Sequence, residues 1–78
     1  MTRAYEEIID FIAHGSTPRD VAAFTPSQEV RDRVADLIYR EKLGTLQAGE
    51  LDELNHFMEL EHIMRMAKAR ARKALGHE

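Results

Sequence analysis

The histidines and carboxylates near the middle of the chain are the residues whose spacing could support metal chemistry. His56, Glu59 and His62 follow one another at intervals of three residues, and Glu59-Leu60-Glu61-His62 contains the Glu-x-x-His pair used by di-iron helical bundles. Such bundles need two of these pairs and two further glutamates, and the chain has one pair. We therefore expect no metal, no cofactor and no catalytic residue, and we interpret these groups as solvated side chains of a helix. The chain is predicted not to be an enzyme.

The second chemical feature is a strongly basic C-terminal end, residues 62–78. It carries five basic residues against one acid, whereas residues 1–61 carry six basic residues against thirteen acids. A charge split of this kind indicates a binding partner. We predict that the partner contacts all five cations of this end: Arg65, Lys68, Arg70, Arg72 and Lys73.

We weigh three kinds of partner for this basic end against the alternative that it has no partner. An acidic protein is favoured, because Ala67, Ala71 and Ala74 would allow close approach while the cations steer the encounter. Nucleic acid is the weaker alternative, since the overall pI is about 5.8 and no aromatic residues alternate with the charges. A membrane surface is not expected, because bulky apolar residues are missing among the cations at the end of the segment. A solvated face, stabilised by Glu61 four residues before Arg65, is the simplest alternative.

Apolar residues recur at helical spacing in three segments, and helix-capping residues and glycines set their limits. We predict helices over about 3–14, 26–43 and 48–75, with a short helix of one or two turns opened by Thr17-Pro18-Arg19-Asp20. The predicted fold is all-α, in a single domain over residues 1–78. It is a helical hairpin with one long C-terminal helix, together with an N-terminal helix and a short connecting helix.

Local sequence signals predict how these helices begin and end. Thr25 is placed to cap the second long helix, with Gln28 completing a capping box, and Gly44 is placed to stop that helix. His14 is placed to interact with the carboxyl end of the first helix. The C-terminal helix would be about 42 Å long and its hairpin partner about 27 Å, so its basic end would project unless another element covers it.

A stripe of apolar residues along the C-terminal helix has the spacing of a coiled-coil seam. Its members are Phe57, Leu60, Met64, Ala67, Ala71 and Ala74. In an antiparallel homodimer each layer would match a large side chain with a small one, as when Phe57 faces Ala74 of a second chain. Two other readings stay open, in which the stripe packs on the first helix of its own chain or on a helix of a different protein.

Length and composition restrict the class of protein further. A chain of 78 residues buries little core, which favours self-association or partner-dependent folding. There is no apolar run long enough to span a membrane and no leader at the N-terminus, so a cytoplasmic location is expected. The absence of cysteine excludes disulfides and thiol catalysis, and it fits a reducing compartment.

Four segments together resemble a family of short bacterial proteins, common in cyanobacteria and their neighbours. The segments are FIAHGSTP (11–18), FTPS (24–27), REK (40–42) and, most specifically, LEHIMRMAKARAR (60–72). Genes of this family often lie directly upstream of an HNH endonuclease gene. The resemblance implies an antitoxin-like or accessory role and carries over no catalytic residue. The chain departs from the family at residues 47–50, where a Ser-Pro-Glu-Glu type of helix start is expected.

We therefore interpret the chain as a non-enzymatic protein-binding module that restrains or assists a nuclease-type partner through its long C-terminal helix. A structural homodimer is the leading alternative, and a nucleic-acid-binding regulator is the third.

Overall fold

The protein consists of four α-helices in a computed structural model that describes residues 3–15 and 17–76. They are α1 (Glu6–Ala13), α2 (Pro18–Ala23), α3 (Gln28–Leu43) and α4 (Glu50–Leu75), and the described ranges contain no strand. The predicted all-α class and the long C-terminal helix are confirmed. With about 1.5 Å per residue, α4 is about 39 Å long and α3 about 24 Å.

The two short helices are held by local capping. In α2 the Thr17 hydroxyl accepts from the Asp20 backbone N–H at 3.2 Å, and the Asp20 carboxylate accepts from the Thr17 N–H at 3.4 Å. This is the capping geometry that the sequence predicts. At the end of α1, His14 Nδ1 lies 2.6 Å from the carbonyl oxygen of Asp10, so His14 contacts the carboxyl end of its helix as predicted.

The start of α3 differs from the prediction, because Ser27 and not Thr25 caps the helix. The Ser27 hydroxyl accepts from the Val30 N–H at 3.2 Å, while the Gln28 side chain turns to Asp32 instead of forming a capping box. The reason is a tertiary contact: the Ser27 N–H donates to a carboxylate oxygen of Glu7 in α1 at 2.8 Å. The carboxylate of Glu7, and not the side chain of Gln28, therefore accepts the hydrogen bond from the N–H of the capping residue.

Two glycines with positive φ join α3 to α4. Gly44 (φ 73°) ends α3 in the left-handed region, as predicted, and Gly49 (φ 85°) precedes α4. The helix α4 begins at Glu50, two residues later than predicted, because a residue at that φ cannot belong to a right-handed helix.

The shorter helices pack around α4. α1 runs in the same direction as α4, since Ala4 N–H donates to the Glu53 carboxylate at 3.0 Å and Ile12 and Ile63 line one crevice further along. α3 returns antiparallel along the first half of α4, and α2 lies against its second half. The molecule measures 48 × 22 × 19 Å. The buried apolar core comprises Ala4, Ile8, Val34, Leu37, Leu54, Phe57 and Met64.

The apolar seam of α4 packs within the chain except at its last member, Ala74, which is exposed. Phe57, Met64 and Ala71 are buried, and the half-buried Leu60 and Ala67 pack against the same core. The structure thus packs most of the stripe within its own chain, and α2, more than the first helix, is the element with the most extensive contact to α4. A homodimer that pairs Phe57 with Ala74 of a second chain conflicts with this burial, because the Phe57 ring already lies in its own chain's core.

Candidate protein-binding groove

A network of four charged residues fixes α3 against the start of α4. Arg33 donates to both carboxylate oxygens of Glu53 at 3.1 and 2.9 Å, and Arg40 donates to both oxygens of Glu50 at 2.6 and 2.7 Å. Arg33 also reaches Glu50 at 3.4 Å. Because bidentate arginine–carboxylate pairs fix orientation as well as distance, the network sets the angle between the two helices. Sequence reasoning missed it, since the partners lie 10 to 20 residues apart.

The network lowers the pKa of both carboxyl groups. The hydrogen bonds from Arg40, assisted by the Gln47 N–H, lower the pKa of Glu50 from 4.5 to about 2. The hydrogen bonds from Arg33 lower the pKa of Glu53, although its burial acts in the opposite direction. Both groups are therefore ionised at neutral pH, and their ion pairs with the two arginines stabilise the packing of α3 on α4.

An apolar groove of about 400 Å³ lies between α3 and the middle of α4. Its size falls in the range of ligand-binding pockets, about 300–1,000 Å³. Side chains from α1, from the segment before α3 and from both long helices form its floor. Among them are Ile8, Phe24, Val34, Ile38, Phe57 and Met64.

Charged residues of mainly one sign surround this floor. Arg31 from α3 and Arg65 and Lys68 from α4 line the groove, with Glu61 as the single acid among its lining residues. At 100° per residue, Arg72 lies on the same side of α4 as Arg65, so the cationic rim continues past the end of the groove. A cavity with an apolar floor and a cationic rim suits a ligand that is both apolar and anionic.

The structure divides the five predicted contact residues into three groups. Lys68 is half-buried, and its ammonium donates to the carbonyl oxygen of Phe24 at 2.8 Å. Lys68 is therefore engaged within the chain, which the prediction of a free partner contact did not foresee. Arg65 is exposed and pairs with Glu61 on the same helix. The remaining three, Arg70, Arg72 and Lys73, are exposed and form no ion pair with another described residue.

The exposed cations lie on two opposite sides of α4. Arg65 and Arg72 border the groove side, whereas Arg70 and Lys73 lie on the far side, turned away from Phe57 and the core. The structure therefore does not bring the five cations into one contact surface. Of the five, Arg65 and Lys68 line the groove together with Arg31, which the sequence did not single out because Arg31 comes from the acidic half of the chain.

Of the histidine and glutamate cluster, His56, Glu59 and His62 are exposed on α4, and Glu61 lines the groove. His56 contacts the ring of Tyr5 edge to face, with the ring centres 5.2 Å apart. Across residues 3–15 and 17–76, no group of three or more His, Asp or Glu side chains is arranged to hold a metal ion.

Comparison of the chain with protein-family models, with curated proteins and with solved structures gave no match. Within the described residues, no helix combines the length and the apolar character required to cross a membrane.

Proposed function

We propose that the chain is a non-enzymatic protein-binding module that takes an acidic, partly apolar segment of a partner protein into the groove between α3 and α4. The observation that carries this proposal is the junction of an apolar floor with a cationic rim. The half-buried Phe24 and Ile38 give the floor its accessible apolar surface, and the rim includes Arg31 and Arg65.

The two parts of the groove would contribute differently to binding. Burial of apolar partner side chains on the floor supplies affinity, at roughly 25 cal/mol per Å² of apolar surface removed from water. The rim arginines speed the encounter and reject cationic segments. Neither Arg31 nor Arg72 forms an ion pair with another described residue, so each can pair with a partner carboxylate without breaking an existing bridge.

The partner is proposed to be a nuclease-type protein, on the basis of the family that residues 60–72 resemble. Four of the groove-lining residues lie in that segment: Glu61, Met64, Arg65 and Lys68. In this proposal the chain acts as an antitoxin-like or accessory subunit and contributes no catalytic residue of its own.

A pair of double charge reversals tests the proposal. Arg65→Glu/Arg72→Glu reverses two cations on the groove side, and Arg70→Glu/Lys73→Glu reverses two cations on the far side of the same helix. The ligand is the product of the nuclease gene that the resemblance places beside the gene for this chain. Binding is measured by calorimetry, after circular dichroism has shown that both variants are folded.

We expect the groove-side variant to bind at least about tenfold more weakly than wild type, and the far-side variant to bind within about twofold of it. Equal weakening by both variants would mean that general charge attraction drives binding and the groove does not. Absence of any complex with the wild-type chain would refute the nuclease partner.

A further inference from the structure

A stripe of seven exposed residues runs along the far side of α4 with alternating spacings of four and three. It consists of Asp52, His56, Glu59, Ile63, Met66, Arg70 and Lys73. This alternation is the spacing of a helix face that can pair with a second helix. The stripe lies on the opposite side of α4 from the groove, and none of its members lines the groove.

The stripe is acidic at one end, apolar at its centre and basic at the other end. Asp52 and Glu59 precede the centre, and Arg70 and Lys73 follow it. None of these four residues takes part in an ion pair among the described residues, so their charges are uncompensated within the chain.

The centre of the stripe exposes large apolar side chains to solvent. Ile63 is 52% exposed and Met66 is 50% exposed, and Ile12 of α1, 53% exposed, shares a crevice with Ile63. Burial of side chains of this size against a partner lowers the free energy, because it removes apolar surface from water.

We propose that this face of α4 is the contact between two copies of the chain, related by a two-fold axis that passes between residues 64 and 65. In the antiparallel register that this axis imposes, Ile63 faces Met66 of the second copy. Glu59 then faces Arg70, and this ion pair occurs twice because the contact is isologous. The occupant is a second copy of this chain because the same register that joins Ile63 to Met66 also sets Glu59 opposite Arg70.

This register differs from the homodimer that the apolar seam suggested. It uses the outward face of α4 and leaves Phe57 and the rest of the core within each chain. Because the groove stays open on the other side, the contact is independent of the proposed function. Each two-fold unit would present two grooves facing away from each other.

Two methionines on α4 provide a matched test by light scattering and sedimentation over a range of concentrations. Met66→Glu places a charge at the centre of the contact, whereas Met58→Glu makes the same change at a site of similar exposure, 47%, away from the stripe. We expect wild type and Met58→Glu to reach twice the monomer mass at high concentration and Met66→Glu to stay monomeric. A wild-type protein that is monomeric at millimolar concentration would overturn the proposal, as would equal loss of the dimer in both variants.

Charge reversals test the register itself. Glu59→Arg alone sets arginine against Arg70, and Arg70→Glu alone sets glutamate against Glu59, so each variant should self-associate at least about tenfold more weakly than wild type. When the two variants are mixed, every 59–70 pair becomes an arginine facing a glutamate. We expect the mixture to form a heterodimer that neither variant forms alone. Two folded variants that remain monomeric after mixing would exclude this register.

Discussion

The ammonium of Lys68 lies 2.8 Å from the carbonyl oxygen of Phe24, the residue that follows the last turn of α2. This bond ties the short helix to the second half of α4. A cation at the carboxyl end of a helix also interacts favourably with the helix dipole. Lys68 therefore serves to close the fold over the basic end of α4.

Lys68→Met is predicted to destabilise the protein by about 1–2 kcal/mol, because it removes a charge-assisted hydrogen bond to a backbone carbonyl and keeps the length of the side chain. Lys42→Met is the control, since Lys42 is an exposed lysine of α3 that makes no ion pair with another described residue. Urea denaturation measures the free energy of unfolding of both variants. Equal stability of the two variants would show that the Lys68 bond contributes nothing.

Glu53→Gln is predicted to destabilise the protein by about 2 kcal/mol at pH 7. Glu53 is 5% exposed and accepts from Arg33 and from the Ala4 N–H, and an amide keeps the shape but loses one acceptor and the charge. Glu41→Gln, at an exposed position of α3, should change the free energy of unfolding by less than about 0.5 kcal/mol. Comparable losses in the two variants would contradict a structural role for the Arg33–Glu53 pair.

The same network predicts how stability depends on pH. Since hydrogen bonds to arginine lower the folded-state pKa of Glu50 and Glu53, the stabilisation is fully present above their usual pKa of 4.5. It is lost as the pH falls through the folded-state values, about 2 for Glu50. The melting temperature should therefore fall between about pH 5 and pH 2, and the fall should be smaller in Glu53→Gln. A melting temperature of the wild type that is constant across this range would contradict the network.

Ala71→Glu tests which surface the alanine seam occupies. Ala71 is buried within its own chain, so a carboxylate there is predicted to destabilise the fold by about 3 kcal/mol or more. Ala69→Glu makes the same change two residues earlier at an exposed site, where it should be nearly neutral. Thermal melting of both variants tests this prediction. If the seam lay between two chains, Ala71→Glu would instead lower the mass of the oligomer in solution and leave each chain folded.

Residue-level signals along the chain were enough to predict the elements that depend on neighbouring residues. Thr17 and Asp20 are three residues apart, so their capping geometry is encoded locally, and Gly44 has the backbone freedom that ends α3. The start of α3 was mispredicted because Glu7, twenty residues away, holds the Ser27 N–H. Local pattern contains no information on that contact.

The candidate site could be predicted only in part for the same reason. The charge excess of residues 62–78 drew attention to Arg65, which the structure places beside the groove. The sequence could not show that Lys68 bonds to Phe24 or that Arg31 joins the rim, because both facts depend on how α2 and α3 cross α4. Likewise, the spacing of the seam identifies a packed stripe but not the element that covers it.

The groove should bind a small molecule that combines an apolar ring system with a negative charge. This binding can be measured without an identified partner protein. We predict that the native protein enhances the fluorescence of anilinonaphthalene sulfonate by binding it on the floor beside Arg65. Ala35, an exposed residue of α3 that lines the groove, offers a variant that changes no charge. Ala35→Trp should fill the cavity and abolish most of the enhancement, whereas Ala69→Trp, away from the groove, should preserve it.

The dye result must be separated from loosening of the fold, because partly unfolded proteins also bind this dye. Both tryptophan variants should therefore unfold cooperatively and keep the helical circular dichroism of the wild type. Arg65→Glu should weaken dye binding without filling the cavity, since it replaces a cation beside the sulfonate with an anion. If Ala35→Trp binds the dye as well as wild type does, the groove does not accept apolar anions, and the proposed docking of an acidic segment there is wrong.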